Sequence, residues 1–487
     1  MSRIIAVDLG ASTGRVTLAT LDNGGIKLDE IHRFPNDPVS VYNTLYWDVL
    51  RILHHIKVGI TKAKQAGGFD SIGIDTWGTD FALIDAHGRM VDTPVHYRDA
   101  CADGWQSLFD RIPSEYLYGI TGIQNMQVNT IHKVDYFVQE RPWDLERARA
   151  YLMMPDLFNY FLTGEMKNEY TVASSSQMLD ARARVWSKEV LEKLGVNPAI
   201  FKEIVMPGTL CGTLLESIKE ETGANAAKVY NVASHDTASA VTAIPRQDFN
   251  DYIYISSGTW SLIGAEISEP LINNTARLYN FTNEGGTDGR IRFLKNVMGS
   301  FLIQESKKQW EKEGRIFTYE ELDRLYDSTP EFGSYIDVDD SLFVHVGNMP
   351  KRIAEFCKKT GQRIPETEGE FMRVIYDSLA LKYRFVIEKT TECTGREYNS
   401  VQIIGGGSKS RTLCQLTASA TGLPVFAGPA EATTIGNAVI QWIASGDFKS
   451  INEARKIVQD TFPQTEYFPA GNMDKEYNKY LSILSMG

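Results

Sequence analysis

The chain has 487 residues, 43% of them hydrophobic and 23% charged, and carries a formal net charge of -12 at pH 7. That length exceeds what one hydrophobic core usually serves, so two domains are expected. The acidic balance argues against a nucleic-acid or anionic-membrane surface, and an anionic substrate would need local donors or a metal ion.

Five cysteines (Cys101, Cys211, Cys357, Cys393, Cys414) are scattered without a CxxC pair, which reads as reduced thiols in a cytoplasmic protein. No uninterrupted apolar run reaches the ~18 residues of a membrane span. Asp8 breaks the only early apolar stretch, so no cleavable leader is expected.

In chain order, "RIIAVDLG" alternates and is rich in β-branched residues, which predicts a strand. "ASTG" is a turn, and "RVTLATLDNGG" predicts a second strand closed by Asn23-Gly24-Gly25. A small-residue turn between two strands exposes backbone N–H groups and can cradle a phosphate. Asp8 at the strand end would face that phosphate and could hold Mg²⁺, directly or through water. The alternative is a plain hairpin whose Asp8 caps the turn. "YWDVLRILHHIKVGITKAKQAG" has helical spacing and stops at Gly67-Gly68; His54 and His55 are adjacent on it and cannot share a metal.

"FDSIGIDTWGTDFALIDAHGR" predicts two short strands around Trp77-Gly78-Thr79. Trp77, Gly78 and Asp80, with Lys295 and Asn296 of "LKNVMG" further on, are the residue types of a sugar site, although Trp77 alone could equally be core. "ASHDTASA" sets His235, Asp236 and Thr237 at the entry to a small-residue helix. A carboxylate there can take a proton from a hydroxyl, or serve as an N-cap.

A polar break at "PRQDFND", Pro245 to Asp251, predicts the domain seam, giving residues 1–246 and 247–487. "DYIYISSGTWSLIGAEI" then repeats the strand–turn–strand grammar of the opening. "NEGGTDGR" (283–290) reads as a glycine-rich loop, and Asn273-Asn274-Thr275 as a chance sequon. "FMRVIYDSLALKYRFVIEKTTECTG" predicts a long amphipathic helix, leading to "SVQIIGGGSKSRTLCQ", a strand, a triple glycine and a helix. "GGGSKS" fits a nucleotide near a helix N-terminus or a tight structural turn. It lacks the spacing of both a Walker A loop and GxGxxG, so a P-loop enzyme and a Rossmann oxidoreductase are poorly supported.

Taken together and in order, "AVDLGASTGR", "SIGIDTWGTDF", "PGTLCGTL", "ASHDTASA", "SSGTWSL" and "IIGGGSKS" resemble the FGGY carbohydrate kinases, relatives of actin and Hsp70. The match runs through nearly the whole chain. "MPD", "SHDTASAV", "TNEGG" and "GPAEA" resemble the members that phosphorylate L-rhamnulose.

The resemblance implies an α/β protein of two ribonuclease-H-like domains with ATP and sugar in the cleft between them. It implies contacts to ATP from Ala11, Ser12, Thr13, Gly14, Arg15, Thr259, Gln304 and Gly406, and to the ketose from Gly78, His235, Asp236, Thr237 and Asn296. Asp236 would be the base and Asp8 the Mg²⁺ residue. By the same resemblance the N-terminal domain binds sugar and phosphate, the C-terminal domain binds nucleotide, the partners are ATP and a sugar, and the protein is a monomer or homodimer. L-Rhamnulose is the expected substrate, L-fuculose or another ketose the alternative, and a non-catalytic nucleotide-binding relative of actin the remaining class.

Three stretches depart from the family pattern. Lys133 is followed three residues later by Tyr136 where Trp is usual, Cys101 ends "YRDAC" where Arg is usual, and 122–130 is atypical.

Overall fold

The computed structural model describes every residue except Asn23, Met486 and Gly487. The expected turn at Asn23 therefore lies partly outside the described residues. Two compact units result: residues 1–247, 266–293 and 432–461 form the first, and 248–265, 294–431 and 462–487 the second. The chain leaves the first unit after Gln247, within the polar break, and twice returns to it.

The sheet of the first unit runs Leu210–Thr213, Lys228–Tyr230, Ser71–Thr76, Ser2–Leu9, Thr13–Asp22, Gly25–Pro35. Ser2–Leu9 pairs antiparallel with Thr13–Asp22, setting Asp8 opposite Arg15. It pairs parallel with Ser71–Thr76, setting Asp8 opposite Asp75. Lys228–Tyr230 is also parallel to Ser71–Thr76. Three parallel strands thus end along one edge, where open α/β sheets place their ligands.

Parallel strands need cover on both faces, which is why Ile4 to Leu9 and Ser71 to Thr76 are buried throughout. Helix Val49–Gln65, capped by the Asp48 side chain, packs on Thr13–Asp22 and Gly25–Pro35. Helix Ala432–Ser445 packs on Ser2–Leu9 and Ser71–Thr76. Gly73 is small because a Cβ there would stand 2.6 Å from Asn437 Oδ1 and 2.7 Å from Gln441 Nε2.

The second unit repeats this plan. Tyr252–Ser257 pairs antiparallel with Trp260–Ile267 and parallel with Ser400–Ile404, which is followed outward by Val425–Ala427 and Thr465–Tyr467. Helix Glu368–Thr394 starts at a reciprocal Thr367–Glu370 cap and ends at Gly395 with φ 65°. Among the described residues, no helix is long and apolar enough to cross a membrane.

Two differences from the sequence reading have local causes. Thr282–Gly285 is a strand, so the loop in "NEGGTDGR" begins only at Gly286; a Cβ on Gly285 would meet the Tyr170 ring at 2.6 Å, a close approach that the glycine permits. The triple glycine does not open the following helix: Gly406–Lys409 form a 3₁₀ turn, and the helix Arg411–Thr421 is capped by Ser410.

The first unit also carries a pH signature. His132 is 3% exposed beside Trp105 and Phe109, neither ring nitrogen has a hydrogen-bond partner among the described residues, and burial pushes its pKa down to about 3. An imidazole depressed below its unfolded ~6.5 makes the unfolded chain the better proton binder. Its full stability contribution is present above pH 6.5 and is lost as pH falls from there toward 3. His132→Leu should therefore gain on wild type by about 2–3 kcal/mol between pH 7 and pH 4.5, at roughly 1.4 kcal/mol per pH unit. Urea unfolding at the two pH values reads the difference; a constant gap would contradict it.

Candidate active site

The turn after Ser2–Leu9 is held from within. Gly10 N–H donates to Thr13 O at 2.9 Å, while Asn36 donates through Nδ2 to Gly10 O at 2.8 Å and through its backbone N–H to Ser12 O at 3.0 Å. Ser12 and Thr13 are exposed and Ala11 and Arg15 half-buried. Gly14 lies against Phe34, where any Cβ would stand 2.2 Å from the ring.

At the strand end Asp8 is 4% exposed, and its Oδ2 accepts from Arg15 Nη2 at 2.5 Å and from Thr434 Oγ1 at 3.4 Å. Its register partner Asp75 is fully buried, with Oδ2 bonded by Asn437 Nδ2 at 2.6 Å and Oδ1 without a partner among the described residues. Burial, then the nearby Asp8 carboxylate, pushes Asp75 well above the usual carboxylate range.

The third element at this edge is the 234–237 segment. Thr76 N–H donates to Ser234 O at 2.9 Å, and Trp77 N–H to Leu9 O at 3.2 Å, so three chain segments are tied together. From below, buried Glu169 accepts from Ser234 N–H at 3.2 Å and Thr171 Oγ1 at 2.6 Å, and Thr171 Oγ1 accepts from His235 N–H at 3.1 Å. Burial raises Glu169 to about 7.

His235 occupies the N-cap position of helix Asp236–Thr242, and Asp236 is its first residue. Asp236 Oδ1 accepts from Thr237 N–H at 2.6 Å and Thr237 Oγ1 at 3.2 Å, with the side chain 31% exposed. Desolvation, with Asp8 adding to it, raises its pKa against the opposing pull of His235. Asp236 is thus both a helix-end residue and an accessible carboxylate of increased basicity. Gly78 completes the group: a Cβ there would be 3.2 Å from His235 Nε2 and 3.1 Å from Ser175 Oγ.

Trp77 is not a free sugar platform. It is 5% exposed, stacks on Trp47 at 3.8 Å, and donates Nε1–H to Asp80 Oδ2 at 2.8 Å; Trp47 donates to the same oxygen at 2.6 Å. Lys133 closes an ion pair on the other Asp80 oxygen, with both residues buried. Removing one partner of such a pair costs about 3–5 kcal/mol, so these residues make a rigid wall.

The departures near Tyr136 and Cys101 belong together. Both pack on one apolar cluster, the Tyr136 phenol is raised by burial and then by Cys101, and burial beside Asp99 keeps the Cys101 thiol protonated. In 122–130, Asn129 Nδ2 binds Gln124 O at 2.6 Å and Gln177 Oε1 at 2.8 Å, which fixes the segment.

The second unit gathers the other candidates. Gly258 N–H donates to Trp260 O at 2.8 Å, Gly299 and Phe301 N–H donate to Thr259 O at 3.1 and 3.2 Å, and Gln304 Nε2 donates to Ser300 Oγ at 2.9 Å. The triple glycine closes on this turn, since a Cβ on Gly407 would lie 2.0 Å from Ser257 Oγ and one on Gly405 3.0 Å from Ser257 O. A Cβ on Gly406 would meet nothing within 4 Å, so its exposed face is open to a ligand. Asn296 lies on strand Ile291–Met298, just before Gly299.

Asp8, residues 11–15, Gly78 and 235–237 thus converge in the first unit, and Thr259, Gln304 and Gly406 cluster in the second. Asp75, Glu169, Glu284, Arg292, Thr434 and Asn437 escaped the sequence reading. Among the described residues no group of three or more His, Cys, Asp or Glu could hold a metal. An Mg²⁺ ion held mainly by water and substrate phosphates would need one protein carboxylate, and Asp8, the carboxylate expected there, has its Oδ2 bonded to Arg15.

Residues 3–243 match the N-terminal domain and residues 253–445 the C-terminal domain of the FGGY family of carbohydrate kinases. A protein named rhamnulokinase from Bacteroides thetaiotaomicron is 41% identical over 466 residues, 95% of each chain. One of the same name from Halalkalibacterium halodurans is 40% identical over 96% of this chain and 99% of its own. Among solved structures, ligand-bound xylulose kinase from Lactobacillus acidophilus superposes with a TM-score of 0.80 at 15% identity, covering 100% of this chain and 97% of that one. Glycerol kinase from Plasmodium falciparum with ADP superposes with a TM-score of 0.78 at 12% identity, covering 100% and 97%. These likenesses confirm the two-domain sugar-kinase fold. By sequence over both domains, the chain belongs to the FGGY family of carbohydrate kinases and is a sugar kinase.

Proposed function

We propose that this enzyme transfers the γ-phosphoryl group of ATP to the primary hydroxyl of L-rhamnulose, giving L-rhamnulose 1-phosphate and ADP in rhamnose catabolism. The observation that carries the reading is the accessible Asp236 carboxylate beside Asp8 and His235 at the carboxyl edge of the parallel strands. The substrate is drawn from the two relatives named rhamnulokinase, about 40% identical over nearly the full length.

In this reading Asp236 accepts the proton of the attacking hydroxyl as the O1–P bond forms and the bond to the ADP oxygen breaks. Its raised pKa makes it a stronger base than an ordinary carboxylate. Gly78, His235, Thr237 and Asn296 bind the ketose. Residues 11–15 offer backbone N–H groups and the Arg15 guanidinium to the phosphates, where positioning and charge supply most of the catalysis. Thr259, Gln304 and Gly406 bind the nucleotide. Mg²⁺, when bound through Asp8, neutralises phosphate charge. The enzyme works as a monomer or homodimer in the cytoplasm.

Gly407→Ala should raise KM for ATP about five- to a hundredfold, the equivalent of the ~1–3 kcal/mol that an overpacked contact costs, and leave KM for the ketose unchanged. An unchanged KM for ATP would remove the triple glycine from the nucleotide site. The reaction itself is tested by ³¹P–¹H correlation of the product. Coupling to the two C1 protons is expected, and coupling to a secondary carbinol proton would contradict the assignment.

A further inference from the structure

His235 does not face its surroundings as a free imidazole. Arg292, fully buried, places Nη2 3.1 Å from His235 Nδ1 and donates to Glu284 Oε2 at 3.0 Å through the same nitrogen; its Nε donates to Gly285 O at 2.9 Å. Glu284 is 4% exposed, and its Oε2 also lies 3.3 Å from His235 Nδ1. The strand that carries Glu284 is pinned in turn, because Gly285 N–H donates to Ser174 Oγ at 2.7 Å. The His235 backbone N–H is held separately, by the Thr171–Glu169 pair.

A guanidinium stays protonated in a protein and has donors only. The two hydrogens of Nη2 are satisfied together only when one goes to Glu284 and the other to an unprotonated Nδ1. A proton on Nδ1 would oppose an N–H of Arg292 directly. With Arg292 as the donor to Nδ1, the ring proton is assigned to Nε2, the nitrogen 3.6 Å from Asp236 Oδ1 and next to Gly78. Nε2 is the edge turned toward the base.

We propose that Arg292, braced by Glu284, is a positioning residue that holds His235 as its Nε2–H tautomer and so makes it a hydrogen-bond donor to a ketose oxygen beside Asp236. This rests on the function proposed above. The chemistry it selects is a substrate with an acceptor oxygen, carbonyl, ring or hydroxyl, adjacent to the phosphorylated carbon.

The test has two arms. In ¹⁵N-histidine-labelled protein, with the His235 signals identified by their loss in His235→Asn, Nδ1 should appear unprotonated and Nε2 protonated. Arg292→Met should move the proton to Nδ1, where Glu284 accepts it. The double variant Arg292→Met/Glu284→Leu, which leaves no buried charge unpaired, should give a mixture of tautomers and guards against misfolding of the single one. In kinetics, both variants should raise KM for the ketose about tenfold or more, the cost of one lost hydrogen bond to a buried partner, with KM for ATP unchanged.

Wild-type His235 with its proton on Nδ1, or variants whose nitrogen signals match wild type, would overturn the proposal. So would a tautomer change that leaves the ketose KM unaltered. The spectra need no substrate, so an expected spectrum from an enzyme that phosphorylates no ketose would overturn the proposed function and not the clamp.

Discussion

Asp236→Asn is expected to lower kcat by about 10²–10⁴, the usual contribution of a positioned general base, while ATP binding persists. The amide keeps the oxygen that accepts from Thr237 N–H, so the start of helix Asp236–Thr242 should hold and the loss should be chemical. Because the base acts on the transferred proton, kcat and kcat/KM should fall together. Steady-state ADP release with saturating ketose measures it. Turnover within a few-fold of wild type would mean that another group takes the proton.

The second large effect concerns a residue that touches no substrate. Gly436 lies on helix Ala432–Ser445 where it meets helix Asp236–Thr242, and a Cβ there would stand 1.7 Å from Ser239 O and 2.5 Å from Ser239 C. Backbone atoms cannot rotate aside as a side chain can. Gly436→Ala should therefore cost about 3 kcal/mol or more in stability, the upper range for overpacking. The same push falls on the helix that begins with Asp236, and a shift of ~1 Å in a catalytic group can cost about 10²-fold. Thermal unfolding and kcat should both drop. A variant as stable and active as wild type would show that the two helices separate without consequence.

These effects also mark where the sequence is readable. The opening hairpin could be recognised because alternation, a small-residue turn and one intrusive carboxylate are local signals, and the register that sets Arg15 on Asp8 follows from a tight turn. "ASHDTASA" was legible for the same reason. Asp75 carries the same kind of local signal as Asp8, but what sets its chemistry is not local: its environment is made by Asp8 and by Asn437, more than 360 residues away.

Gly436, Thr434 and Asn437 belong to a segment that returns to the first unit after a long excursion, and no periodicity announces such a return. Arg292 and Glu284 were hidden by the Gly-Gly pair between them, which reads as a loop until the Tyr170 ring explains why glycine must sit in a strand. Trp77 was open between a sugar platform and core, and its indole N–H committed to Asp80, with its stacking on Trp47, decides for the core.

Substrate choice tests the proposed reaction most directly. ADP release should be followed with Mg-ATP and, separately, L-rhamnulose, L-fuculose, D-xylulose, L-xylulose, L-ribulose and glycerol. The expected result is kcat/KM for L-rhamnulose at least about tenfold above every other acceptor, the least that one well-fitted pocket contact supplies. Preference for another acceptor would contradict the substrate, and no ADP with any of them while ATP still binds would contradict the proposed transfer to these acceptors.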